Sequence, residues 1–368
     1  MKKISIISAV FFFFLFWIGG MGEAYAQDIH FSQFNQTPSL INPALTGSSS
    51  VLRASLINRD QWRSVTVPYK TFGAFIEMKF KPTNWTDVDP HLTRTFKKTF
   101  SRIACGLSFF SDKAGDGNMG ISQVNLSFAS FVPISRNNSL SLGLQASIVQ
   151  RTLDFSKLIF PVQYNGSGYD PNISNRENAA LQNYIYPDFA CGVNWSYGYS
   201  QKAIAANDEF KSNVGVSIYH INRPKQNFLI GSDERLSMKY NLHCDFLIGI
   251  KNTNIGLAPT CLVAIQKTSL EILGGTLIKY YFHEESKYTG TIKRSSFGLG
   301  AFYRNKDAVI LSTLIEYKQY AIGFSYDINT SKLSIASSGK GGPEVFIRFS
   351  SANPFLYQMK TKSRYKLN

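Results

Sequence analysis

Cysteine is scarce. The chain has four in 368 residues, at 105, 191, 244 and 261, with no C-x-x-C pair and no metal-ligand spacing. A disulfide-dense scaffold and a thiolate zinc site are both excluded. The five histidines, 30, 91, 220, 243 and 283, are scattered and none falls in H-E-x-x-H. His220 and His243 lie on neighbouring strand-like runs, but no G-x-S-x-G accompanies them, so no hydrolase is expected. Gly115–Gly120 fits G-x-G-x-x-G formally, yet it joins two strand-like runs with no helix after it, which removes the dinucleotide reading. Asp112, Asp116 and Asn118 could cup calcium, but their spacing is not that of an EF-hand loop, and a Gly-rich turn is the plainer reading. No cofactor, metal or catalytic residue is expected.

Acidic residues are also few, 24 Asp and Glu against 39 Lys and Arg, a formal charge of +15. The N-terminus sets the compartment. Lys2 and Lys3 precede an apolar run, Ile4–Ile18, and Ala24-Tyr25-Ala26 closes the stretch. That is the layout of a secretory signal peptide, with cleavage expected before Gln27. The apolar run is short for a spanning helix, and no Cys near the site offers a lipid anchor. After Gln27 no apolar run approaches spanning length, so the exported chain is either soluble or a β-barrel. Outside the cell a basic chain favours anionic headgroups, surface polysaccharide or acidic proteins over nucleic acid.

What is abundant is alternation of period two. In Tyr320–Asp327 the bulky Tyr320, Ile322, Phe324 and Tyr326 interleave with Ala321, Gly323, Ser325 and Asp327. Leu140, Leu142, Leu144, Ala146 and Ile148 alternate with Ser139, Ser141, Gly143, Gln145 and Ser147. Residues this small or polar are poor core filler; they suit a watery or plugged lumen, with the greasy face turned to lipid. Counting such segments predicts an all-β fold: a transmembrane antiparallel β-barrel of about 14 strands, an even number as these barrels require. Arg53, Arg59, Asp245, His243, Glu316 and Arg348 fall on the lumen parity. Pro259 sits inside a segment where a closed barrel has no free edge, and a bulge is the expected repair. If residues 248–257 form a tight hairpin, Cys244 lies opposite Cys261 and an outward disulfide fits. That loop lacks Asn-Gly chemistry, so inert thiols are the first expectation.

The expected organisation is a signal peptide at 1–26, an irregular N-terminal segment at 27–50 (periplasmic or plug), the barrel at 51–350 and a basic tail at 351–368. With strand one running outward, three long connections, 81–101, 198–212 and 283–295, face the periplasm. The first and last are basic, as is the tail, which suits docking of a partner.

Several stretches resemble the PorP/SprF family of type IX secretion outer-membrane proteins. Phe31-Ser-Gln-Phe34, Asn42-Pro-Ala-Leu-Thr-Gly47 and Asn58-Arg-Asp-Gln-Trp62 open the series; Tyr186-Pro-Asp-Phe189, Ser217–Pro224, Tyr240-Asn-Leu-His243, Tyr303–Ala308 and Ser325-Tyr-Asp327 continue it. The resemblance implies a non-enzymatic accessory of type IX secretion in the outer membrane. Such an accessory exports or surface-anchors a cargo protein, as in gliding, and docks periplasmic secretion components. Asn42, Pro43, Arg59, Gln61 and Trp62 are its candidate partner-binding residues. Asn42-Pro43 also suits a fixed turn, and Trp62 a membrane-interface anchor. The rival reading from composition alone is a diffusion porin or small-solute transporter.

Overall fold

Alternation along each strand and hydrogen bonding between neighbours leave one way to satisfy every backbone group, which is to close the sheet on itself. A computed structural model of the chain describes residues 30–62, 67–80, 102–115, 117–135, 137–154, 158–174, 183–199, 207–226, 234–283, 295–331 and 339–351. Among them fourteen strands form a closed antiparallel barrel in sequence order, with the last strand paired to the first. The first seven are β1 (Leu52–Gln61), β2 (Tyr69–Lys79), β3 (Arg102–Ala114), β4 (Met119–Pro133), β5 (Asn138–Thr152), β6 (Tyr184–Tyr199) and β7 (Phe210–Tyr219). The rest are β8 (Lys239–Gly249), β9 (Ile255–Gln266), β10 (Ser269–His283), β11 (Ser295–Arg304), β12 (Ala308–Tyr317), β13 (Tyr320–Asn329) and β14 (Lys340–Ser351). The seam runs in register from Leu52↔Ser351 to Arg59↔Glu344. The end of the barrel where β1 begins and β14 finishes is called the near end below, and the opposite one the far end.

The outward rows are the predicted ones. Leu144 is 67% exposed, and Leu142, Ile148, Ile322 and Phe324 are exposed with it, while Ser141, Gln145, Ser325 and Asp327 are buried. No helix among the described residues is long and apolar enough to cross a membrane; the crossing is made by strands. At the near end Trp195, Tyr197, Tyr199, Phe210 and Phe246 make an arc of ring contacts. Tyr280 with Phe282 and Tyr320 with Phe349 add to it. At the far end Trp62 meets Tyr69 edge-on at 5.0 Å. Such girdles sit where an apolar ring with a polar tip meets the headgroups.

Three expectations need correction. Pro259 makes no bulge: Asp245↔Thr260 and Ile248↔Leu257 keep one register, and only the intervening pairs drop out of the ladder. The chain tolerates the missing N–H by opening the β8–β9 ladder locally. The middle long connection is shorter than expected, because β6 runs on to Tyr199 and β7 begins at Phe210. His220 does not continue β7; it turns out of the sheet with φ +57°. The signal peptide, the basic tail and most of the two basic connections lie outside the described residues.

Candidate functional site: the occupied lumen

The inward face is not empty. Residues 30–50 carry only short helical turns, Phe34–Gln36, Pro38–Ile41 and Pro43–Leu45, each opened or closed by a proline or a single backbone bond. The two prolines stop any longer helix. The segment is nevertheless almost wholly buried, because it lies inside the barrel and bonds to inward-facing side chains of distant strands.

At the far end Glu344 accepts from the backbone N–H of Ser32 at 2.7 Å and of Gln33 at 2.8 Å. Arg59 donates to the His30 carbonyl and, at 2.9 Å, to Asp327. Ser32 Oγ donates to Asp327 at 2.8 Å and accepts from Arg304 at 2.9 Å. Arg304 also faces Glu271 at 3.6 Å and Asp307 at 2.8 Å. Every charge in this network but the half-exposed Asp307 is buried beside an opposite one, as burial requires.

The segment then descends to the near half. There Arg53 donates to the Gln36 carbonyl and Arg348 to its side-chain oxygen, both at 2.7 Å. Arg348 and Lys279 are held in turn by Glu316 at 2.6 and 3.0 Å. The lumen charges Arg53, Arg59, Glu316 and Arg348 therefore clamp the segment at two levels.

Asn42 is the pivot and has no exposed surface. Its Oδ1 accepts from Ala44 N at 2.9 Å, capping the turn at Pro43. Its Nδ2 lies 3.0 Å from the Val193 carbonyl, 3.3 Å from the Val216 carbonyl and 3.1 Å from His243 Nε2. An amide N–H facing Nε2 needs that nitrogen as acceptor, which places the ring proton on Nδ1, 3.5 Å from Asp245. His243 is thus occupied as a hydrogen-bonding wall residue. The Ile41 carbonyl accepts from Ser217 and Asn241, and the Ser39 carbonyl accepts from Tyr219.

The approach depends on two wall glycines. A Cβ at Gly143 would overlap the backbone of Pro43 and Ala44, and one at Gly192 would overlap the Asn42 amide. Past Asn42 the segment returns to the near end, where Gly47 N donates to Glu77 at 3.0 Å before β1 starts.

Of the five residues singled out from the sequence, Asn42 and Pro43 stand together against the β5–β8 wall and Arg59 lies apart from them in the far-end network. All three are inside the barrel with their bonding turned toward the chain itself. Gln61 and Trp62 are half-buried at the far rim, where Trp62 N donates to Gly341 O at 2.6 Å. Inward apolar residues were missed. Ile57, Phe75, Leu273, Leu277, Ile310, Leu314 and Phe346 pack with Phe31, Phe34 and Ile41 in one cluster. Their signal was runs such as Val345-Phe346-Ile347, apolar on both faces, which mark a strand buried on both sides. No described group of His, Cys, Asp or Glu could hold a metal ion. His220 pairs with Asp188 at 2.9 Å, beside the loop after β7 and away from His243.

These observations define a membrane β-barrel whose lumen holds residues 30–50 of the same chain. A model of the family described as type IX secretion system membrane protein PorP/SprF matches residues 23–349, and the chain belongs to that family. Curated proteins gave no match. Among solved structures, the toluene transporter TbuX of Ralstonia pickettii is similar at 10% identity and a TM-score of 0.42, over 90% of this chain and 95% of that one. BamA of Haemophilus ducreyi lacking POTRA domains 1–3 is similar at 10% identity and 0.41, over 82% and 70%. The TodX monoaromatic hydrocarbon channel gives 7% and 0.41, over 85% and 94%. None of these likenesses bears on what passes through or docks on the present barrel.

Proposed function

We propose that the chain is a plugged, non-enzymatic accessory of type IX secretion. It exports or surface-anchors a partner protein by holding it at the rims and wall, without threading it through the lumen. The observation behind this reading is the occupied interior: a segment bonded at far end, middle and near half stands in the way of a cargo threading the lumen. In this reading the near end faces the periplasm, where the basic connections and tail dock secretion or motility components. Gln61 and Trp62 serve at the outer rim. Asn42, Pro43 and Arg59 act through the plug, as holders of the segment and not as surfaces touched by cargo.

Deleting the gene and comparing the secreted and surface proteomes tests the role. Loss of a surface protein is expected, and an unchanged secretome overturns it. The purified barrel in a planar bilayer tests the plug. A silent barrel is expected; steady open-pore current would favour a porin.

A further inference from the structure

Cys244 and Cys261 are direct partners across the β8–β9 pair, on the lipid side of the wall. Both residues are half-buried, and the structure holds them as free thiols. Ile250 N donates to Ile255 O at 3.0 Å, and the antiparallel alternation then puts 248/257, 246/259 and 244/261 in the same hydrogen-bonded class. Pairs of that class have Cα atoms about 5.5 Å apart, inside the range a disulfide spans without backbone movement. The β10 neighbour of Cys261 is Gly274, and even a Cβ built there would stay 3.8 Å from the Cys261 sulfur, so the sulfurs have room.

The ladder is weak at this place. Pro259 has no N–H to give Phe246, and the pairs 246/259 and 247/258 are missing from the sheet. The cysteines stand one pair beyond that gap, past Asp245↔Thr260, on the far side of it from the hairpin turn.

We propose that Cys244 and Cys261 form a structural disulfide that staples the β8–β9 seam where proline has opened it. Bond formation belongs to the periplasm, before insertion, and uses the disulfide form of an exported thiol–disulfide oxidoreductase. One thiolate attacks the oxidant's disulfide to give a mixed disulfide. The second attacks the first sulfur, which leaves the protein bridged and the oxidant as a dithiol carrying both protons. Cys105 faces Met78 and Phe128, and Cys191 faces Leu144 and Ile218, so neither has a cysteine across the ladder. They serve as internal standards.

The test uses the full chain in its own membrane. Outer membranes are acid-quenched, then denatured in polyethylene glycol maleimide with and without reductant. Two adducts are expected without reductant and four with it, and digestion should give one linked peptide pair joining β8 to β9. Cys244→Ser should raise the unreduced count to three by freeing Cys261. Labelling is read on the unfolded chain, so a folding defect in that variant does not blur it. Four adducts on the native sequence without reductant, or a linkage through Cys105 or Cys191, overturns the proposal.

Discussion

The two halves of the lumen hold the segment with different groups. Along β1, β2 and β9–β14 the wall offers Ile57, Phe75, Leu273, Leu277, Ile310, Leu314 and Phe346, and the segment answers with Phe31, Phe34 and Ile41. Along β4–β8 the wall is Asn125, Ser127, Ser141, Gln145, Asn194, Ser217, Asn241 and His243, all buried. There the segment presents backbone carbonyls and the Asn42 amide. The first half adds exclusion of water to the charge-assisted bonds of Arg53, Arg59, Arg304, Glu344 and Arg348. The second holds by neutral directed bonds to the segment's carbonyls and to the Asn42 amide, which fix register. Together they let one short, helix-poor segment be both firmly bound and uniquely placed.

The sharpest way to break this division is Gly143→Val. Its side chain would occupy the space of Pro43 and Ala44, so the segment should leave the polar wall and the purified barrel should pass steady current in a planar bilayer. A silent variant would show that the close approach at Gly143 is dispensable. Phe34→Ala on the apolar side should cost about 3–5 kcal/mol, the usual toll for truncating a buried aromatic, read as a lower urea midpoint in lipid vesicles. Asn42→Ala strips the Val193 and Val216 carbonyls of a donor and should cost about 1–3 kcal/mol. If it matches Phe34→Ala in the same urea series, the two halves do not differ as described. Trp62→Leu touches neither half. It removes the edge-on contact with Tyr69, about 0.5–1.5 kcal/mol, and should leave the bilayer recording as silent as that of the native chain.

The strand rows were legible because lipid enforces a strict period of two: Leu140, Leu142 and Leu144 have no other reason to alternate with Ser141 and Gly143. The closure and the count of strands followed from the same pattern. Asn42 could be picked out but not explained, since its acceptors on Val193 and Val216 lie 151 and 174 positions away in the chain. No local rule anticipates such a bond. The apolar half was hidden for a different reason. Ile57, Ile310 and Phe346 sit next to outward apolar residues, and attention to the outward row conceals a second row facing in. At Pro259 the principle of the missing donor was correct, but the sheet had a cheaper remedy than a bulge, to drop two pairs and hold register.

The bonds from Ser32 and Gln33 to Glu344 reach across 312 and 311 positions. Neither can exist until β14 has been synthesised and brought round to meet β1. Ser32 and Gln33 therefore gain these bonds only once β14 is in place. A chain cut short before Glu344 has no acceptor for them, so docking of the segment reports that the ring above it is complete.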